Sequence, residues 1–249
     1  MHADDARPRA LTAAWMGRVD YGRAWELQRA LFDARLRGVC GDLVMLLEHP
    51  PTYTLGRRAE ASDIVYDEAQ RAERGISLYE VDRGGRATYH GPGQLVGYPI
   101  VALGEPFDVL AYLRSIEETL VRTAAHFGVS AERDGRHTGV WVGREKLGAI
   151  GVKITRGITM HGFALNVTTD LSMFEGIVPC GIPDRWVTSL QAQTGTSRSV
   201  EEVATNAATH LSAVLDRSLA WTSPGALRDI SGVGREASQD RSGRELQLH

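Results

Sequence analysis

The chain has 249 residues, 43% hydrophobic and 24% charged, the balance of an ordinary globular protein. A net charge of −3 excludes the strong basic field that holds nucleic acid through its phosphates. Two cysteines, Cys40 and Cys180, fit a reducing compartment better than a disulfide scaffold, and no run approaches the roughly 18 apolar residues of a membrane span, so a cytoplasmic protein without a membrane partner is expected.

Residues 1–9 lack an apolar signal core and read as a flexible leader. Ala10 to Val19 is predicted as a strand. Asp20 then caps a helix from Tyr21 to Arg37, with Trp25, Leu27, Leu31, Ala34 and Leu36 as a rough apolar face and Gly38 as its stop. Leu43 to Leu47 reads as a buried strand, and Thr52 to Leu55 as another closed by Gly56. Asp67 to Arg74 forms a short helix ended by Gly75. Ser77 to Val81 and Leu95 to Ala102 are strands flanking a glycine-rich loop. A long helix is predicted from Phe107 to Phe127, where Leu110, Leu113, Ile116, Leu120, Ala124 and Phe127 recur at helical steps. Thr138 to Val142, Leu147 to Ile154 and Ile158 to Val167 follow as a meander joined by tight turns at Gly143-Arg144-Glu145 and Thr155-Arg156-Gly157. A last helix spans Val200 to Leu215, with a capping box of Ser199 and Glu202. Strands mixed with few helices, without regular βαβ alternation, indicate an α+β fold: a single domain over residues 10–222, with a mixed sheet. Residues 223–249, poor in apolar side chains, are predicted as a disordered tail.

The loop reads Arg83-Gly84-Gly85-Arg86-Ala87-Thr88-Tyr89-His90-Gly91-Pro92-Gly93-Gln94. Its glycines permit close backbone approach to a small ligand. Its arginines suggest phosphate, yet the sequence after Gly93 is strand-like and offers no helix N-terminus to receive one. Nucleotide-loop and nucleophile-elbow patterns are absent, and no Cys or His spacing suits a metal, so none is expected.

Cys180 sits between Pro179 and Gly181 on a tight turn, where a thiol can be held outward as a nucleophile or be simply buried and inert. Cys40 has no such setting and reads as structural. A reactive thiol needs a partner that favours the thiolate. His90 and His161, both beside glycines, are candidates, and so is Lys146, which opens the strand Leu147 to Ile154. A solvated hairpin lysine is the plain alternative. The segment His161-Gly162-Phe163-Ala164-Leu165-Asn166 puts small residues where bulk is expected, leaving room for a ligand or for close packing.

Taken together the chain resembles the lipoyl(octanoyl) transferases, which move an octanoyl group from acyl carrier protein to a lysine of lipoyl domains. The resemblance spans about Ala10 to Leu215. It rests on Glu48-His49-Pro50 with Tyr53-Thr54-Leu55-Gly56, on the Arg83 to Gln94 loop, on Lys146 with Gly148-Ala149-Ile150-Gly151, on His161 to Asn166, on Pro179-Cys180-Gly181-Ile182 and on Val187-Thr188-Ser189-Leu190. It implies the fold of biotin and lipoate protein ligases, a mixed sheet flanked by helices. It also implies that Cys180 carries the acyl group and Lys146 is its partner. The substrate would lie on Arg83, Gly84, Gly85, Arg86, Ala87, Thr88, Tyr89 and His90, on Ala149, Ile150 and Gly151, and on Gly162, Phe163 and Ala164.

The implied reaction needs neither ATP nor metal, because the donor is already a thioester. Expected partners are acyl carrier protein and the lipoyl domains of 2-oxoacid dehydrogenases and glycine cleavage H protein, with Arg57, Arg58, Lys153 and Arg156 as candidate contacts for an acidic carrier. An ATP-dependent lipoate or biotin ligase of the same fold is the competing reading, and a silent domain that only binds acylated proteins is a third.

Overall fold

A computed structural model describes residues 9–178 and 187–232. In chain order the elements are β1 (Ala10–Arg18), α1 (Tyr21–Leu36), β2 (Asp42–Glu48), β3 (Thr52–Leu55), α2 (Glu68–Glu73), β4 (Ser77–Glu80), β5 (Ala87–His90), β6 (Gln94–Ile100), α3 (Val109–His126), β7 (Glu132–Arg133), β8 (Val140–Val142), β9 (Glu145–Thr155), β10 (Ile158–Asn166), α4 (Leu190–Thr194), α5 (Val200–Val214), β11 (Ser218–Trp221) and α6 (Pro224–Ser231). Two 3₁₀ turns, Ala61–Asp63 and Leu171–Gly176, lie between them.

Among the described residues the larger sheet runs β11-β1-β2-β6-β10-β9-β8-β7, and a small one runs β4-β3-β5. Both mix parallel with antiparallel pairs: β1 is parallel to β2 and β11, while β2, β6, β10 and β9 alternate in direction. The unbroken apolar run of β2 follows from burial on both faces. Val44 and Leu46 join the cluster under α3 and α5, with Ile116, Leu120, Val203 and Leu211. Leu43, Met45 and Leu47 join the cluster on the other face, with Leu27 and Leu31 of α1 and Leu227 of α6. The small sheet has its own core of Tyr53, Ile76, Ala87, Tyr89, Phe174 and Ile177. This is the α+β mixed sheet flanked by helices expected from the sequence.

Several local expectations are corrected. The glycine-rich loop contains a strand: β5 pairs antiparallel with β3, Tyr89 opposite Tyr53 and His90 opposite Thr52. Glycines masked the two-residue alternation in so short a segment. The long helix begins at Val109, because Asp108 accepts hydrogen bonds from the Leu110 and Ala111 amides. Leu110 is consequently exposed, and the buried stripe starts at Tyr112. At α5 only half of the capping box forms: Ser199 Oγ accepts from the Glu202 amide, while the Glu202 carboxylate lies 3.5 Å from Arg198. Residues 224–231 are not a tail but α6, with Pro224 in its first turn, Ser223 as its cap and Leu227 fully buried near α1. The sparse apolar content hid it, since a single leucine anchors the helix.

Candidate active site

A cavity of about 530 Å³ opens where β5, β9, β10 and the start of α1 meet, within the range of roughly 300–1,000 Å³ typical of small-molecule sites. The exposed Arg58, Glu60 and Arg136 mark its solvent side. Of the residues named from the sequence, Arg83, Gly85, Arg86, Ala87, Thr88 and His90 line it, as do Lys146, Ala149, Ile150, Gly151, Gly162, Phe163 and Ala164. Gly84 and Tyr89 are not in its lining. The Gly84 amide donates to Val152 O, and Tyr89 turns into the small sheet's core against Tyr53 and Phe174. Strand alternation explains Tyr89: its neighbours Thr88 and His90 take the other face.

The trough has a backbone cause. Gly151 pairs with Gly162 across β9 and β10, so neither strand presents a side chain there. A Cβ on Gly151 would come within 2.9 Å of Gly84 O, and one on Gly162 within 2.1 Å of Gly97 O. In the next pair Phe163 sits opposite Gly97, where a Cβ would stand 2.2 Å from the ring. The Phe163 ring that walls the cavity therefore depends on the bare Gly97. Gly97→Ala is expected to destabilise the fold by about 1–3 kcal/mol through overpacking, measured by denaturant unfolding.

Lys146 is only 7% exposed. Its ammonium lies 4.8 Å from the centroid of the Trp141 ring. The stem passes Gly139, which must be glycine for two reasons: its φ is +129°, and a Cβ there would stand 2.8 Å from Lys146 Cε. Glu117, itself 1% exposed, holds that turn by accepting from the Gly139 amide and from Arg114.

Cys180 lies outside the described residues, as do Pro179, Gly181 and Ile182. The chain on either side is well anchored. Before it, the Val178 amide donates to Asp63 O, and Ile177 bridges Ile64. The buried Asp63 receives three hydrogen bonds from cavity-lining Arg86. Burial, the largest single influence, would raise the Asp63 carboxyl, but the Arg86 hydrogen bonds and charge together with hydrogen bonds from the Glu60 and Ala87 backbone hold it below its ordinary range. After it, Val187 bridges Lys146 in parallel register, and the Thr188 amide donates to Lys146 O at 3.0 Å. Asn166 Nδ2 donates to Thr188 O, and Gln94 Nε2 to Asn166 Oδ1.

The sequence reading singled out His161 and His49 but missed Tyr21 and Tyr98, and with them the aromatic wall. Tyr21, Tyr98 and His161 also line the cavity, with His49 directly behind. His49 Nδ1 donates to Val19 O at 2.7 Å, so Nε2 accepts from the Tyr98 hydroxyl at 2.8 Å. Burial pulls His49 down to about 4 and drives His90 well below its ordinary range, so both rings are neutral at pH 7. Burial pushes the Tyr21 phenol up to about 12. His161 has a left-handed φ of +55° in the middle of β10, the kind of strain that collects at functional sites. Its Nε2 donates to Asp82, whose other oxygen accepts from Lys153 at 2.6 Å. These two hydrogen bonds, led by His161, hold the Asp82 carboxyl far below its ordinary range despite the counteracting cost of burial. Lys153 is thus engaged internally, which argues against it as a free carrier contact. The assembled wall was not legible in sequence, since Tyr21 of α1, His49 just after β2, Tyr98 of β6 and His161 of β10 lie far apart along the chain.

Among the described residues no group of His, Cys, Asp and Glu is arranged to hold a metal ion, and no helix is long and apolar enough to cross a membrane.

Comparison with known proteins agrees with this architecture. Residues 20–212 match the family model of the lipoyl protein ligase A/B catalytic domain. An octanoyltransferase of Chloroflexus aggregans is 49% identical over 212 residues, covering 84% of this chain and 96% of that one. One from Mycobacterium tuberculosis is 48% identical, covering 83% and 88%. Among solved structures, lipoate-protein ligase A bound with ATP superposes with a TM-score of 0.71 at 19% identity, covering 93% of this chain and 94% of that one. A bi-partite lipoate protein ligase from Thermoplasma acidophilum gives 0.70 at 18%, covering 98% and 99%. The two solved structures support the fold, and the closer sequence relatives carry the activity: the chain belongs to the lipoyl protein ligase A/B catalytic family and is an acyltransferase of its octanoyltransferase branch.

Proposed function

We propose that the enzyme takes an octanoyl group from acyl carrier protein onto Cys180 and passes it to the ε-amine of a lysine on a lipoyl domain. Lys146 acts as the partner base. The thiolate of Cys180 attacks the donor thioester, phosphopantetheine thiol leaves, and an acyl-enzyme results. The acceptor amine then displaces Cys180 and forms an amide. Both halves exchange a thioester for a thioester or an amide, so neither ATP nor a metal is required. The observation that supports this reading is the parallel bridge between Val187 and Lys146, which sets a residue close in sequence to Cys180 beside the strand of the buried lysine.

The acyl chain would lie over Gly151 and Gly162 against Ile150 and Phe163, with Ala149, Ala164 and the cavity-lining part of Arg83 to His90 completing the groove. Burying each CH₂ contributes about 0.8 kcal/mol, so the groove discriminates by chain length. Acyl carrier proteins are acidic, and Arg58 at the solvent side of the cavity suits one. The acceptors would be lipoyl domains of 2-oxoacid dehydrogenases and glycine cleavage H protein.

Intact-protein mass after incubation with octanoyl-acyl carrier protein, without ATP, tests the scheme. The wild type should gain one octanoyl group, and Cys180→Ala should gain none. An unmodified wild type, an adduct retained by Cys180→Ala, or a strict requirement for ATP would overturn it.

A further inference from the structure

Lys146 stands at a register slip between β8 and β9. Val140 pairs with Gly148 but Trp141 with Lys146, so β9 carries one more residue than β8 between these pairs. A bulge of this kind re-aims a side chain. Leu147 goes into the core under α3, while its neighbour Lys146 lines the cavity, and both are buried. The lysine stem runs beside the Trp141 ring, 4.8 Å from the nitrogen, and beside the bare backbone of Gly139. A Cβ on Gly139 would stand 2.8 Å from Lys146 Cε and 3.5 Å from Nζ.

The place of that backbone is set from α3. Glu117 accepts the Gly139 amide on Oε1 at 3.1 Å and Arg114 on Oε2 at 2.6 Å. It is buried on the helix face that also carries the core residues Ile116 and Leu120. A carboxylate there gives up its hydration, and exchanging a buried ion pair for apolar side chains is often neutral or stabilising. Packing of α3 therefore does not call for a charge at this position. The Gly139 amide does call for an acceptor. It is buried, its residue has a φ of +129°, and it precedes the ladder that begins at Val140. Arg136, His137 and Thr138 of the same turn line the cavity, and the Trp141 Nε1 donates to His137 O.

We infer that Glu117 is a positioning residue for Lys146. By taking the Gly139 hydrogen it holds the turn on which the lysine stem rests, and so keeps the nitrogen at one place in the cavity. The inference rests on the role proposed above for Lys146. A misplacement of 1 Å at a reacting group costs up to about 100-fold in rate.

Three substitutions separate positioning from packing. Glu117→Met fills the space but offers the Gly139 amide nothing. Glu117→Gln keeps an oxygen for that amide and gives up the charge. Arg114→Met breaks the same ion pair from its partly exposed side and leaves the amide bond in place. The measurements are single-turnover rates of both halves per folded enzyme, the KM for octanoyl-acyl carrier protein and a melting curve. Glu117→Met should slow octanoyl-adduct formation and transfer alike, by about 10–100-fold at an unchanged KM. Glu117→Gln and Arg114→Met should melt earlier yet keep both rates within about threefold of wild type. Wild-type rates in Glu117→Met, or rates that follow the melting temperature across all three, would overturn the inference. Should Glu117→Met fail to fold, Glu117→Gln decides. Rates held beside an earlier melt support positioning, and a loss beyond about threefold in the folded protein overturns it. Near-wild-type kinetics in folded Lys146→Gln would instead remove the role of Lys146 itself.

Discussion

Lys146→Gln is expected to lower turnover by roughly 10²–10⁴-fold, the range for loss of a positioned general base. Glutamine keeps a polar tip and most of the stem that passes Gly139 and Trp141, so the wall should stay packed. What disappears is an amine that can trade a proton with sulfur in the first half-reaction and with the attacking nitrogen in the second. Octanoyl-adduct formation and transfer should both slow. Stopped-flow or quenched single-turnover measurements of the two halves, alongside a melting curve, check this. Near-wild-type kinetics in a folded Lys146→Gln protein would remove Lys146 from the reaction.

Acid should destabilise the enzyme strongly, from His49 alone by about 2 kcal/mol at pH 5 and by on the order of 3 kcal/mol at pH 4. The sign follows from proton binding. Burial pulls the His49 pKa down to about 4 in the folded state from an ordinary value of 6.5. Between these values the unfolded chain binds a proton that the folded one refuses. Stability is therefore full above pH 6.5 and falls as the pH drops toward 4. His90 and His161, both lowered chiefly by burial, act in the same direction. Asp82 has the opposite chemistry but does not offset this, since its stabilisation persists above the ordinary carboxylate range and is lost only at lower pH. Denaturant unfolding at pH 7.5, 6 and 5 should show a monotonic fall in stability. A flat profile would contradict neutral, buried imidazoles at these positions.

The elements themselves were largely legible in the residues. Strand and helix periodicity located β1, β2, β6, β9, β10, α1, α3 and α5 to within a few residues, because each buries enough apolar surface to impose its pattern. Elements held by one or two contacts were not legible. Helix α6 depends on Leu227, β11 pairs along one edge with β1, and β5 is a four-residue strand among glycines.

The linear sequence by itself carried the resemblance to the family, and that resemblance nominated Cys180 and Lys146 for the chemistry. Only the tertiary structure decided what faces the cavity. Tyr89 belongs to the strongest motif yet turns away, because strand alternation sends it to the small sheet's core. Tyr21 and Tyr98 belong to no such motif yet form the wall, because β6 crosses the sheet beside the start of α1. Hydrogen-bond direction was equally beyond the sequence. Whether His90 gives or accepts a hydrogen depends on Gln94, which depends in turn on Asn166, 72 residues farther along the chain. Residue identity specifies which groups a chain carries; folding specifies which of their lone pairs and hydrogens remain for a substrate.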